Sequence, residues 1–195
     1  MERDSSQQGR GLKRVGRRLR QASLTIVLAL GTLSCPTICT AADDALDQFK
    51  AVYLFNFTKL TVWPATAPAG VLTICFIGAP GVRDLIERDV SGKLIGERHI
   101  AVRSIGASQG ADDCSIIYIE ATAAGSSPLP ASAPGYALTV SDARDFAHHG
   151  GMIELFFKDN RLRFIINLDN ARLAGLKMSS SLLALASKVE QLGSP

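Results

Sequence analysis

The 195-residue chain has few of the residues that build metal sites and disulfide scaffolds: three histidines, four cysteines and a single tryptophan. It also lacks an uninterrupted apolar run of the roughly 20 residues needed to cross a hydrocarbon layer of about 30 Å. The longest candidate, Leu24–Leu33, follows the basic residues Lys13, Arg14, Arg17, Arg18 and Arg20 and precedes the small residues Thr40-Ala-Ala42. Basic, short apolar, then small is the order of a secretory signal peptide, so residues 1–42 are expected to be removed after Ala42. Arg17-Arg18 is not followed by a complete twin-arginine signal. Thr32 stands where a lipoprotein site before Cys35 wants an aliphatic residue, so no lipid anchor is expected.

Loss of the leader changes the charge. The full chain carries 21 basic and 18 acidic residues, and residues 43–195 keep 14 against 16. The basic pI therefore belongs to the leader. Nucleic acid is not an expected partner, because neutralising phosphates takes a clustered basic face. The remaining 153 or so residues suit one domain with one core. Cys35 and Cys39 leave with the signal, while Cys75 and Cys114 stay, an even count for an oxidising compartment. A bridge between them would close a loop of about 40 residues and contribute roughly 3–4 kcal/mol in the chain-entropy model. Two buried free thiols are the alternative.

Periodicity supplies the architecture. Leu46, Phe49, Tyr53, Phe57 and Leu60 recur at helical spacing over residues 44–61, and Pro64 ends the helix. Val71–Gly78 and Cys114–Ile119 are continuous apolar runs, expected as buried strands, and Pro80–Val90 fits a short helix. Residues 98–105 and 136–141 fit further strands. The segment Ala121–Gly135, with three prolines, fits a loop with at most one helical turn. Ala143–His149 fits a short helix ended by Gly150, with His148-His149 at its solvated end. Met152–Phe157 and Arg161–Asn167 form a hairpin around Asp159-Asn160, residue types that tolerate positive φ. Leu168–Ala174 is a helix with Gly175 past its end. Ser179 or Ser180 caps a last helix whose Leu182, Leu185, Ala186 and Val189 share one face. The fold class is thus α/β: a single domain with a mixed β-sheet of about six strands, flanked by helices on both faces.

The catalytic patterns fail on their surroundings. Gly106-Ala-Ser108-Gln-Gly110 matches a serine-hydrolase elbow, but a strand follows it where that motif needs a helix. Gly78-Ala-Pro-Gly81 opens a helix yet has neither a third fingerprint glycine nor a P-loop lysine. His148 and His149 are chain neighbours and do not converge on one metal, and His99 bears no spacing relation to them. Asp112, Asp113, Asp142 and Asp145 lie in loops that nothing in the sequence brings together. No enzyme, cofactor or metal is expected. Open α/β sheets also bind small ligands at the carboxyl ends of their strands, which would place such a site near Gly78–Gly81 and Ser141–Asp142.

Several segments, taken in order, resemble the YfiR family: Lys50-Ala-Val-Tyr-Leu-Phe-Asn-Phe-Thr-Lys-Leu-Thr-Val-Trp-Pro64, the Cys75 strand through Phe76-Ile-Gly78, and Cys114-Ser-Ile-Ile-Tyr-Ile119. Leu138–Asp142, Gly150–Ile153, Phe164–Asn167 and Ala174–Ser180 continue the likeness, which covers essentially the whole chain after the leader. The resemblance implies a periplasmic regulatory protein that binds and represses the periplasmic domain of an inner-membrane diguanylate cyclase, or another sensor. By the same resemblance Cys75 and Cys114 match a structural disulfide. Phe146–Phe157 holds no cysteine for the second pair some members carry. The resemblance admits a homodimer. A partner surface is expected around Phe164, Asn167, Ser179, Ser180 and Leu182, although most apolar residues among these also suit a core. The competing expectation is a periplasmic small-ligand-binding protein that feeds a sensor kinase or a transport system.

Overall fold

The computed structural model describes residues 40–90, 92–106, 110–123, 129–130 and 132–191. Residues 1–39 of the expected signal peptide, with Cys35 and Cys39, lie outside them, as does Ser108. In chain order come α1 (Thr40–Leu60), β1 (Thr61–Val62), β2 (Val71–Ile77), α2 (Pro80–Val90), β3 (Leu94–Ile95), β4 (Arg98–Ser104) and β5 (Ile116–Ile119). After a 3-10 turn at Ala121–Ala123 follow β6 (Leu138–Ser141), β7 (Ile153–Lys158), β8 (Arg161–Asn167) and α3 (Leu168–Leu173). The last elements are β9 (Lys177–Met178), α4 (Ser180–Leu185) and β10 (Lys188–Glu190).

Eight strands form one mixed sheet in the order β10-β8-β7-β6-β5-β2-β4-β3, and β1 pairs with β9 in a separate two-stranded ladder. Strands β4, β2, β5, β6 and β7 are parallel neighbours, while β8 returns antiparallel against β7. The hairpin tip is as the sequence implies: Asp159 and Asn160 sit at φ 52° and 59°, the left-handed pair that matches the twist of the flanking strands. The expected mixed α/β sheet is present, with eight strands where about six were legible. The extra ones are β3 and β10 at the two edges, each too short to carry a period.

Alternation along the strands splits the interior in two. Leu72, Ile74 and Phe76 of β2, Ile116 and Tyr118 of β5, and Phe164 and Ile166 of β8 share the larger core, which takes the buried residues of all four helices. Cys75, Ile77, Ile117 and Ile119 point the other way, into a smaller core closed by Ile105, Ala111, Ala137 and Phe146 from connecting segments. Loops therefore cover the face where a second helical layer was expected. The Cys75–Cys114 disulfide lies within that smaller core, with Cα atoms 5.8 Å apart and a sequence separation of 39.

Two helical expectations give way to other structure. Over the expected helix 143–149 the chain makes a bend and then consecutive turns from 144 to 150, because Asp145 adopts φ 59° and so interrupts any helix. Val189 belongs to β10, parallel to β8, while α4 stops at Leu185. Leu182 is buried but Leu185 is 68% exposed, so the apolar spacing over 182–189 marks a helix for one turn and a strand afterwards.

Candidate functional site

The chain passes from β2 through α2 to β4 on one side, then crosses back to β5 on the other side of β2. The β2/β5 boundary is thus the switch point of the parallel sheet, where ligands of open α/β folds lodge beside the strand carboxyl ends. Here a carboxylate of the chain occupies that place. Glu120, just past β5, accepts a 2.9 Å hydrogen bond from the Ala79 N–H at the start of α2. This is the position an anionic ligand would take at a helix N-terminus. The close approach explains Gly78: at φ +77°, an added Cβ would lie 2.7 Å from Glu120 Oε2. Ala79 itself is held at φ 52°.

Beside Glu120 lies a polar strut between α1 and the sheet. Lys50 occupies the inward face of α1 with Ala51, Leu54 and Phe57, and its side chain is only 9% exposed. Its ammonium meets Asp142 Oδ2 at 2.7 Å, and Asp142 Oδ1 accepts the Ala121 N–H at 2.7 Å. The Tyr118 hydroxyl is buried next to Asp142 without a hydrogen bond of good geometry. Burial, and then the neighbouring Asp142 charge, push its pKa far above the usual tyrosine range. Asp47, one turn before Lys50, has its carboxyl pKa raised by burial and by Glu120, Asp44 and Asp43, against the opposing pull of Lys50. Lysine and aspartate neutralise each other here and the tyrosine stays protonated, so the arrangement fastens elements rather than poising an acid–base pair.

The residues expected at a partner surface separate into two groups. Phe164 is buried at 2% exposure, with its ring edge-on to Tyr53 at 5.7 Å and Phe57 at 5.3 Å. Asn167 is fully buried: its Nδ2 donates to the Ala147 carbonyl at 2.8 Å and its Oδ1 caps α3 through the Asn170 N–H. Leu182 is buried against the larger core. In this conformation these three side chains hold α1, the Gly150 turn and α4 to the sheet, and none meets solvent. Ser179 is the N-cap of α4, accepting from the Leu182 N–H at 3.1 Å, and Ser180 is exposed beside it.

The paired histidines also divide. His149 Nδ1 lies 2.8 Å from the Asp145 carbonyl, while His148 Nδ1 lies 3.3 Å from Glu190 on β10. Instead of a solvated helix end, His148 forms part of the contact between the 143–150 turn and the edge strand. His99 sits on β4, six strand spacings from β10, or about 29 Å. Gly151 has its own reason: a Cβ there would run into the Phe146 ring.

Sequence reasoning passed over Lys50 and Glu120. Lys50 did carry a signal, since it is a charged residue on the buried stripe of an apolar helix, a place that demands a partner. Glu120 carried none, because its role depends on β2 lying next to β5.

No curated protein matches the sequence significantly. A crystal structure described as a conserved domain protein from Vibrio cholerae O1 biovar El Tor is similar over 72% of this chain, at 10% identity and a TM-score of 0.45. The chain spans 60% of that protein's length. The sequence profile of one family matches residues 47–187, from the start of the Lys50 strut to the entry into β10. The chain belongs to the YfiR/HmsC-like family.

Proposed function

We propose that this protein is a periplasmic regulator that binds the periplasmic part of an inner-membrane diguanylate cyclase and represses it. The YfiR/HmsC-like family is known for periplasmic regulators of diguanylate cyclases, and it is regulatory rather than catalytic. The observation that carries the reading is the match of that family over residues 47–187.

Three features of the molecule support it. The Cys75–Cys114 bridge suits an oxidising compartment. The switch-point crevice is taken up by Glu120, which leaves the ordinary α/β ligand position filled by the protein. The outer side of α1 shows Phe49 and Val52, each more than half exposed, and Val62 follows on β1, the kind of apolar surface that a protein partner covers. Among the described residues no helix is long and apolar enough to cross a membrane.

Affinity capture from the periplasm and solubilised inner membrane of the native host tests the reading. Recovery of a membrane protein with a diguanylate cyclase output is expected. Repeated recovery of periplasmic proteins alone, with the bait folded and bridged, would count against it.

A further inference from the structure

The two edges of the eight-stranded sheet are finished differently. At one edge β10 has three residues, and two of them, Lys188 and Glu190, are charged. Shortness and charge are the ordinary means of closing an edge against another chain. At the other edge β3 covers only the start of β4, with Leu94 facing His99 and Ile95 facing Arg98. Residues 100–104 of β4 have β2 on their inner side and no described strand on their outer side.

The register identifies the groups left open. The N–H groups of His99 and Ile105 donate inward, to the Gly70 carbonyl at 2.8 Å and the Phe76 carbonyl at 2.9 Å. In a strand the N–H and C=O of one residue point to the same side, and the side alternates with each residue. Ala101 and Arg103 therefore also face β2, whereas Ile100, Val102 and Ser104 turn their backbone groups outward. Among the described residues nothing bonds those outward groups. Ile100 and Val102 pack against the larger core but stay half-buried, and Ala101 is exposed on the opposite face. The stretch has no proline, and its one charge, Arg103, is answered by Asp113 of the same chain. It keeps the apolar side chains and hydrogen-bonding groups of an interior strand without a neighbour.

We infer that this edge docks on the same edge of a second copy, antiparallel about a two-fold axis at Val102, so that one sheet runs through both molecules. What an open edge recognises is extended backbone, and β4 complements itself fully in a single register. Centred on Val102, that residue bonds its counterpart, and Ile100 bonds Ser104 in both directions, so every outward group is used. Ala101 then lies opposite Arg103, and no like charges meet. Centring on Arg103 would set two guanidinium groups side by side. Centring on Ile100 or Ala101 would run the copy into β3. Strand β3 thus serves as a stop that fixes the register. The inference stands apart from the regulatory reading, since either can fail while the other holds.

Sedimentation equilibrium and hydrogen exchange of the exported, bridged protein test the inference together. A reversible dimer is expected in the micromolar range. The amides of Ile100, Val102 and Ser104 should gain protection as concentration rises, while those of Ala101 and Arg103, bonded to β2, are protected throughout. Val102→Pro removes the central outward N–H and no bond to β2, and should weaken the dimer by about tenfold or more. Ala101→Lys, placed opposite Arg103, should weaken it about three- to tenfold, and Ala101→Glu should tighten it by a similar factor. These two changes at an exposed side chain stand in if the proline variant does not fold. A monomer up to millimolar concentration would overturn the inference, as would lysine and glutamate at position 101 acting alike. So would a dimer in which the three outward amides exchange as in the monomer, which would assign assembly to another surface. Protection of those amides only on adding a membrane extract would also overturn it, by assigning the edge to a different protein.

Discussion

The two faces of the sheet are built on different principles. On one, four helices contribute regularly spaced apolar residues, and a large core forms around Phe57, Phe76, Tyr118 and Phe164. On the other, connecting segments lie over Cys75, Ile77, Ile117 and Ile119, and a disulfide ties β2 to the chain just before β5. Helices satisfy their own backbone and bring side chains at every turn, so they cover a sheet without help. Loops bring fewer apolar atoms per residue and lose more entropy on ordering, and a crosslink offsets part of that loss.

The contrast can be broken first on the helical face. Phe57→Ala removes a ring that is 1% exposed and packed edge-on to Phe164, and should cost about 3–5 kcal/mol in denaturant unfolding. On the loop face, Cys75→Ala with Cys114→Ala should cost roughly 3–4 kcal/mol. Hydrogen exchange of that variant sharpens the comparison. Amides at Ile105 and Ala137 should lose protection well before those at Leu54 and Ile74, and equal loss on both faces would argue against two separately supported layers.

The strut between the layers should matter somewhat less. Lys50→Met leaves Asp142 without its cation, and because Asp142 keeps some contact with water the expected cost is about 2–3 kcal/mol, at the low end for a broken buried pair. The smallest effect belongs to Asp47. Its folded pKa is raised, so the folded state holds the proton more tightly than the unfolded chain. The group therefore favours folding at low pH, and that contribution falls away as pH rises through the ordinary aspartate range to the raised value. Asp47→Asn should flatten this part of the stability–pH curve and leave stability at neutral pH unchanged or slightly higher. An unchanged curve would mean that the carboxylate is solvated in both states.

Much of the fold was legible wherever the residue pattern was local. The β2 run, the Asp159-Asn160 turn and the Ser179 cap each follow from neighbours within a few positions. Residues 182–189 were misleading because Leu182, Leu185 and Val189 satisfy helical spacing while the parallel edge of β8 recruits the last three-residue strand. The turn at 143–149 was misleading because a single left-handed residue, Asp145, overrides a composition that tolerates helix. The place of the crevice, near Gly78–Gly81 and Ser141–Asp142, was legible, but the side chains that fill it lay beyond sequence reasoning for a different reason. Lys50 and Asp142 are 92 positions apart, and only the strand order makes them neighbours.

The most direct measurement of the central claim is cellular cyclic-di-GMP in the native host, compared between wild type, a deletion strain and the deletion complemented with the exported protein. Repression of a membrane cyclase predicts a rise in cyclic-di-GMP and in biofilm on deletion, with both restored by complementation. Unchanged levels in the deletion strain would contradict the account.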